Sequence, residues 1–311
     1  MAPTYSRVER ATWAERLRRD LPGLPVTTDA PMSEYTSFRI GGPADLLVTP
    51  RDEETLRRTV LWAVREAVPM TVIGRGTNLL VRDGGLPGLV LRIGEGLDDI
   101  DVSEGTIRAG AGVALGDLSR SASRRGLSGL AFACGIPGSL GGALVMNAGA
   151  HGGEMKDIVR RVQVLEADGG ASWLDQSELG FGYRRSVLQG GGLIVLRGEL
   201  GLRAGDRSAI EVEMERWTQK RAAKQPLEYP SAGSVFRRPE GHYVGPMITQ
   251  AGLRGLRVGG AQVSEKHAGF IINRGGATAQ DVLEVIDRIR RAVMDKFSVE
   301  LVPEVRVIGE G

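Results

Sequence analysis

Residues 135–142 have the sequence Gly135-Ile136-Pro137-Gly138-Ser139-Leu140-Gly141-Gly142, and Met146-Asn147-Ala148-Gly149-Ala150 follows shortly after them. Glycines this dense let the backbone approach a bound group closely, and the N–H groups of such turns bind anions. A second glycine turn lies upstream, with the sequence Gly74-Arg75-Gly76-Thr77-Asn78-Leu79. Two such turns predict a ligand with two phosphates and an extended body, such as a dinucleotide. For either segment alone, tight turns in a glycine-rich fold are the competing interpretation.

The two glycine segments match neither of the common nucleotide-binding motifs. The upstream turn lacks the third glycine of the Rossmann fingerprint, because Leu79 stands in its place. The downstream segment is not followed by the Lys-Ser/Thr pair of a P-loop. The prediction of phosphate binding therefore depends on other parts of the chain.

The composition is typical of a soluble globular protein with a large core. The chain has 311 residues, of which 41% are hydrophobic and 25% charged, and its 45 glycines are about twice the usual share. A net charge of +2 and scattered basic residues give no indication of nucleic-acid binding. A single cysteine, Cys134, excludes internal disulfides and favours a reducing compartment.

The N-terminus lacks the apolar region of a signal peptide, and no run approaches the ~18 apolar residues of a membrane span. We therefore expect a cytoplasmic protein without membrane association, and no obligate protein partner is apparent from the sequence. His151, His242 and His267 match no metal-ligand spacing, so we expect no metal site.

Hydrophobic periodicity predicts an α+β chain. A strand at 46–48, a helix opened by Asp52 with Leu56, Val60, Leu61 and Val64 on its apolar face, and a strand at 70–73 lead into Gly74. Other helices are predicted at 8–20, 115–125 and 211–221, and other strands at 89–93, 100–102, 106–109, 159–167 and 193–200. Thr278 and Asp281 form a capping box that opens a last helix, with Val282, Val285, Ile286, Ile289, Val293 and Phe297 as its apolar stripe.

These elements predict three parts. Residues 1–32 form an N-terminal helical arm, and 33–205 form a cofactor-binding domain. Residues 206–311 form a smaller C-terminal domain, whose last strand, 305–308, returns to the cofactor-binding domain.

Three further segments carry candidate catalytic groups: Arg184, Ser234 and Glu304. A cation, a hydroxyl and a carboxylate can form an acid–base and charge-stabilising set if the fold brings them together. Their spacing does not show that they meet. Taken separately, they are typical of a surface arginine, a turn serine and a solvated strand residue.

From about Thr36 to Gly309 the chain resembles the UDP-N-acetylenolpyruvoylglucosamine reductase family, flavoenzymes of bacterial cell-wall synthesis. The matching segments occur in order at 36–44, 76–80, 135–150, 183–184, 231–236, 260–270 and Glu304. The resemblance implies the FAD-binding fold shared with vanillyl-alcohol oxidase and p-cresol methylhydroxylase, with two α+β subdomains around FAD and a smaller α+β C-terminal substrate domain. It also implies NADPH as electron donor and non-covalent FAD. Some relatives of this fold attach FAD through a histidine, but the neighbours of His151 match the reductases.

The resemblance also implies roles for individual residues. Ser234 would donate a proton, and Arg184 and Glu304 would flank the enolpyruvyl group of the substrate. The implied cofactor contacts are Arg39, Gly41, Gly74, Arg75, Gly76, Thr77, Asn78, Leu79, Gly135, Ile136, Pro137, Gly138, Ser139, Gly141, Gly142, Asn147, Gly149 and Ala150. The implied substrate contacts are Tyr183, Arg221, Lys224 and Gln262. Because residues 184–188 run directly into Gly190-Gly191-Gly192, the chain is similar to the shorter subtype without the tyrosine loop.

The implied reaction is the reduction of UDP-N-acetylglucosamine enolpyruvate to UDP-N-acetylmuramate, in which flavin N5 gives a hydride to the β carbon and Ser234 a proton to the α carbon. An alternative is a flavin-dependent alcohol or sugar oxidase of the same fold, which predicts oxygen consumption and little use of NADPH. A non-catalytic nucleotide-binding protein is the third possibility, and it predicts a colourless protein that FAD does not reconstitute.

Overall fold

A computed structural model describes residues 5–311 of the chain. The helices are α1 Arg7–Asp20, α2 Glu53–Arg65, α3 Leu115–Arg124, α4 Leu140–Met146, α5 Arg207–Lys224, α6 Val244–Gln250 and α7 Ala279–Phe297. The first strands are β1 Val26–Pro31, β2 Pro43–Val48, β3 Met70–Ile73, β4 Leu79–Val81, β5 Leu86–Arg92, β6 Ile100–Ser103, β7 Thr106–Gly110, β8 Leu127–Ser128 and β9 Gly149–Ala150. The others are β10 Gly153–Glu154, β11 Val159–Glu166, β12 Ala171–Asp175, β13 Leu193–Gly201, β14 Arg203–Ala204, β15 Arg257–Val258, β16 Ala261–Val263, β17 Ile271–Asn273 and β18 Arg306–Ile308.

The first sheet has the strand order β1-β2-β5-β3, with β5 parallel to both β2 and β3 and β1 antiparallel to β2. Helix α2 connects β2 to β3, and it begins where the Asp52 carboxylate accepts a hydrogen bond from the Thr55 N–H at 2.7 Å. The buried face of α2 differs in part from the predicted one. Val64 is 55% exposed, whereas Trp62 is buried.

The second sheet is antiparallel, with the order β12-β11-β13-β7-β6. Helix α4 packs on β13 and β7 of this sheet. Buried side chains of both sheets belong to one continuous hydrophobic core, which includes Leu46 and Leu89 from the first sheet and Ile107 and Val162 from the second. This shared core fixes the position of the two sheets relative to each other.

The C-terminal part packs α6 and α7 against the three-stranded sheet β15-β16-β17. The predicted capping box is present, because the Thr278 hydroxyl accepts from the Asp281 N–H at 3.1 Å. All predicted stripe residues of α7 are buried except Phe297, which is partly buried. The core of this part includes Phe38 and Leu80 from the N-terminal half.

A strand pairing and several hydrogen bonds join the C-terminal part to the first sheet region. Strand β18 leaves the C-terminal part and pairs in parallel with β4. In addition, the Asn273 side chain donates to the Phe38 carbonyl at 3.1 Å, and the Ser37 hydroxyl donates to the Ser231 carbonyl at 2.7 Å. These contacts bring the residues around position 304 to the ends of β3 and β4. Every helix within residues 5–311 is too short or too polar to cross a lipid bilayer.

Candidate active site

A cavity of about 540 Å³ lies between the two sheets and the C-terminal part. This volume is within the usual range for small-molecule sites. Both glycine segments, the segment around Arg184, the turn at Ser234 and the strand after Glu304 line it. The fold therefore gathers at one place the segments that the sequence analysis singled out separately.

The two glycine turns contact each other in the wall of the cavity. A β-carbon added at Gly74 would lie 2.8 Å from the Ser139 hydroxyl oxygen. One added at Gly138, where φ is +127°, would lie 3.0 Å from the Thr77 hydroxyl oxygen. The Thr77 hydroxyl also donates to the Pro137 carbonyl at 3.2 Å. Glycine is favoured at these positions because a side chain would crowd the hydroxyl of the other turn, and because Gly138 has positive φ.

Several backbone donors at this junction are free. In the described part of the chain, the N–H groups of Gly76, Thr77, Gly138 and Ser139 donate to no other residue. Free N–H groups that converge on a cavity bind phosphate oxygens well. The residues present therefore fit the pyrophosphate of a dinucleotide such as FAD.

The lining of the cavity contains both apolar side chains and cations. The apolar side chains include Met70, Ile93 and Ile136, which suit a flat aromatic ring. Arg75 and Arg306 line the cavity as well, and within residues 5–311 neither forms an ion pair. Cations without a partner carboxylate favour an anionic ligand.

Arg184 and Glu304 form an ion pair in the wall of the cavity. The Arg184 Nε donates to Glu304 Oε1 at 2.7 Å, and Nη2 donates to the Gly149 carbonyl at 3.0 Å. The two side chains are 17% and 18% exposed, so solvent screens the pair only partly. A second carboxylate, from Glu154, lies 4.0 Å from Arg184 Nη1. Arg184 has φ +53°, an uncommon conformation for a residue with a side chain, as occurs at functional sites.

The Asn147 side chain holds together the segments around Arg184. It is fully buried, with φ +41°, at the C-terminal end of α4. Its side-chain amide donates to Glu154 at 3.0 Å and to the Gly182 carbonyl at 2.9 Å, and its side-chain oxygen accepts from the Lys156 N–H at 2.9 Å. These bonds join the end of α4 to the segment of Glu154 and Lys156 and to Gly182, which is two residues before Arg184.

Ser234 also lines the cavity, in an exposed turn after Gly233, which has φ +78°. The Glu304 N–H donates to the Val235 carbonyl at 2.7 Å, which fixes Glu304 beside this turn. The Ser234 hydroxyl makes no hydrogen bond with another residue of the described chain. It is therefore available to a ligand.

The structure brings most predicted cofactor contacts to the cavity wall. Those that line it are Gly74, Arg75, Gly76, Thr77, Asn78, Leu79, Ile136, Pro137, Gly138, Ser139, Gly141, Gly142 and Gly149. Those outside the lining are Arg39, Gly41, Gly135, Asn147 and Ala150. All three predicted catalytic residues line the cavity.

The four predicted substrate contacts lie outside the cavity lining. Tyr183 is 47% exposed, stacks beside Arg184, and accepts a hydrogen bond at its hydroxyl from the Arg238 N–H at 3.3 Å. Lys224 is exposed at the end of α5. The Gln262 side chain donates to the Gly255 carbonyl at 3.2 Å.

Arg221 is half-buried and lies against the glycine segment. A β-carbon added at Gly135 would lie 3.3 Å from its Cδ. Burial lowers the pKa of the Arg221 guanidinium, and within the described residues no carboxylate pairs with it. A half-buried cation without a partner costs folding free energy, so its presence favours a role in binding an anion.

Arg306 lines the cavity although it was not among the predicted site residues. A signal was present, because Arg306 is two positions after Glu304, and alternate residues of an extended segment point to the same side. In the part of the chain that the structure describes, no group of three His, Cys, Asp or Glu side chains could hold a metal ion. His151 stacks on Trp217 and does not line the cavity.

The chain between Arg184 and β13 is short. A single 3-10 turn, Val187–Gly190, and two further glycines connect them. No inserted loop is present there to fold over the cavity.

Two sequence profiles of known protein domains match the chain. A profile described as an FAD binding domain matches residues 44–175, the region of both glycine turns. The chain therefore has an FAD-binding α+β fold, as expected. A second profile, described as the C-terminal domain of UDP-N-acetylenolpyruvoylglucosamine reductase, matches residues 225–308.

Relatives over the full length identify the family. A UDP-N-acetylenolpyruvoylglucosamine reductase from Pediococcus pentosaceus is 49% identical over 289 residues, which cover 93% of this chain and 96% of the relative. A protein named UDP-N-acetylenolpyruvoylglucosamine reductase 2, from Symbiobacterium thermophilum, is 50% identical over 299 residues, which cover 95% of this chain and 96% of the relative. The crystal structure of the enzyme from Thermus caldophilus has 38% identity and a TM-score of 0.79, covering 91% of this chain and 98% of that one. The chain belongs to the UDP-N-acetylenolpyruvoylglucosamine reductase family, and the oxidase alternative is not favoured.

Proposed function

We propose that this protein reduces UDP-N-acetylglucosamine enolpyruvate to UDP-N-acetylmuramate, a step of peptidoglycan synthesis, with NADPH as electron donor and non-covalently bound FAD. The observation that carries the proposal is the Arg184–Glu304 pair, which faces the Ser234 turn at one end of a cavity with glycine turns in its wall. Membership of the reductase family supports the same reaction. We place the reaction in the cytoplasm, because a chain with one cysteine suits a reducing compartment.

The two glycine turns would hold the FAD pyrophosphate through their free N–H groups, and the apolar side chains of the lining would contact its rings. When bound, the flavin supplies the two-electron transfer from NADPH to the enolpyruvyl double bond. The protein residues supply orientation, charge and a proton. The absence of His151 from the cavity lining supports non-covalent binding.

Arg184 would stabilise the reaction electrostatically. Reduction at the β carbon moves negative charge toward the α carbon and the adjoining carboxylate. A guanidinium fixed beside that carboxylate stabilises the charge as it develops, and losing one such donor typically costs about 10²–10³-fold in rate. Glu304 would hold the guanidinium through Nε and the Gly149 carbonyl would hold it through Nη2, so that its charge stays fixed at the cavity wall.

Ser234 would supply the proton that the α carbon needs after the β carbon has been reduced. Its exposed position allows water to replace the lost proton. Arg221 and Lys224 would bind the UDP phosphates, together with the unpaired Arg306. Tyr183 would cover the substrate from the side of Arg184, and Gln262 would support the nearby turn at Gly255.

An anaerobic spectral titration tests the proposal. NADPH should bleach the yellow flavin, and subsequent UDP-N-acetylglucosamine enolpyruvate should restore it without oxygen. In Ser234→Ala, NADPH should still bleach the flavin while UDP-N-acetylmuramate formation stops. Recovery only in air, with the wild-type protein, would contradict the reductase activity, and normal product formation by the variant would contradict the role of Ser234.

A further inference from the structure

Helix α5 connects the cofactor-binding half to the C-terminal part, yet it is almost entirely exposed. Of its 18 residues only Ile210 is buried, and Val212 is 69% exposed. A helix with so little buried apolar surface depends on a few specific contacts for its position. Those contacts therefore determine the positions of Arg221 and Lys224, the cations in its last turn.

The contacts that hold α5 come from residues beside the downstream glycine segment. The His151 ring stacks on Trp217 with centroids 4.0 Å apart and planes within 7° of parallel. One turn further along the helix, Arg221 packs against Gly135. The Cys134 thiol contacts a backbone carbonyl of the helix at 3.5 Å.

The segment that carries His151 is itself tied to the Arg184 site. His151 stands between β9 and β10 with φ +56°, followed by Gly152 with φ +92°. The carbonyl of Gly149 in the same hairpin accepts the hydrogen bond from Arg184. At the other end of α5, the Lys266 ammonium donates to the Ala222 carbonyl at 2.8 Å. The helix is thus held at a defined distance from the reacting groups.

We propose that His151 is a positioning residue for substrate binding, because its stack on Trp217 fixes α5 so that Arg221 stays against Gly135, next to the glycine segment that lines the cavity. This inference rests on the proposed function, in which Arg221 binds the anionic UDP group. The ring acts through its flat face and not through a proton or a bond to the cofactor. Its loss weakens substrate binding and leaves the chemical step unchanged.

Two substitutions distinguish the effect of losing the aromatic ring from the effect of changing the backbone conformation at position 151. His151→Asn keeps a residue that tolerates positive φ but has no aromatic ring. Its KM for UDP-N-acetylglucosamine enolpyruvate should rise about 3- to 10-fold, the factor to which the free energy of an aromatic stack corresponds, with kcat retained. His151→Phe restores a flat ring and should return KM to near the wild-type value. Val212→Ala, an exposed change on the same helix, is the matched control.

A double-mutant cycle tests the pair directly. Trp217→Leu should raise KM as His151→Asn does, and the two changes together should have no greater effect than either alone. Additive effects, a wild-type KM in His151→Asn, or equal impairment by the Phe variant would each overturn the proposal. A rise in KM accompanied by loss of flavin colour and lower kcat would do so too, because it indicates general damage. Failure of the wild-type protein to turn over this substrate would instead reject the proposed function.

Discussion

Replacing Asn147 by alanine should destabilise the protein strongly even when no cofactor is bound. The change removes three hydrogen bonds of a fully buried side chain, to Glu154, to the Gly182 carbonyl and from the Lys156 N–H. Each net hydrogen bond contributes about 0.5–1.5 kcal/mol, and alanine at φ +41° adds about 1 kcal/mol, so unfolding should become easier by about 3–5 kcal/mol. The same loss should release the hairpin that holds Arg184.

Urea unfolding followed by far-ultraviolet circular dichroism measures this effect, in flavin-free and flavin-bound protein. Asn147→Gly is the informative companion, because it loses the same bonds but accepts positive φ, and it should recover about 1 kcal/mol relative to alanine. An alanine variant that binds flavin poorly yet unfolds at the wild-type urea concentration would refute the reasoning. That result would mean that Asn147 contacts the cofactor and does not hold the loop.

Three other substitutions test separate parts of the site. Glu304→Gln leaves the Arg184 guanidinium without its ionic partner, so kcat should fall about 100-fold or more while flavin binding is kept, and turnover close to wild type would contradict this. Gly138→Val places a branched side chain at φ +127° against Thr77, so the protein should purify without yellow colour, whereas the control Gly94→Ala, with open space around the added carbon, should stay yellow. His267 has a lowered pKa, chiefly because it is buried and further because of the nearby charges of Lys224 and Arg254. As the pH falls below about 6.5, the unfolded chain therefore takes up a proton before the folded chain does, and the free energy of unfolding decreases as the pH falls. His267→Asn should therefore flatten the loss of urea resistance between about pH 7 and 5, and an equally steep loss would contradict this assignment.

Local signals in the sequence predicted the elements that they control. The capping box of Thr278 and the regular apolar stripe located α7, because both depend on residues within a few positions. Short α4 escaped prediction, since its seven residues contain two glycines inside a segment that is otherwise typical of turns. The exposure of Val64 shows a further limit: the sheet on which α2 packs, and not its hydrophobic pattern, determines which face is buried.

The candidate site required a resemblance as well as physical reasoning. Glycine density predicted that two turns bind phosphate, but not that Gly138 and Thr77 face each other. Arg184 and Glu304 are 120 positions apart and meet only because β18 crosses back to β4. The number of residues between them does not indicate such a contact. The resemblance to the reductase family, whose segments occur in the same order, predicted that both residues lie beside the substrate.

The return of β18 to β4 has a consequence for biosynthesis. Residues 304–308 are made after both large sheets, and they supply part of the cavity wall and the hydrogen-bond partner of β4. During translation the cofactor-binding half can build its two sheets, yet the edge of β4 stays unpaired until β18 emerges. Such an edge is prone to pair with other chains. The cavity is therefore completed only after β18 has docked, and prompt docking of this strand covers an edge that could otherwise pair with another chain.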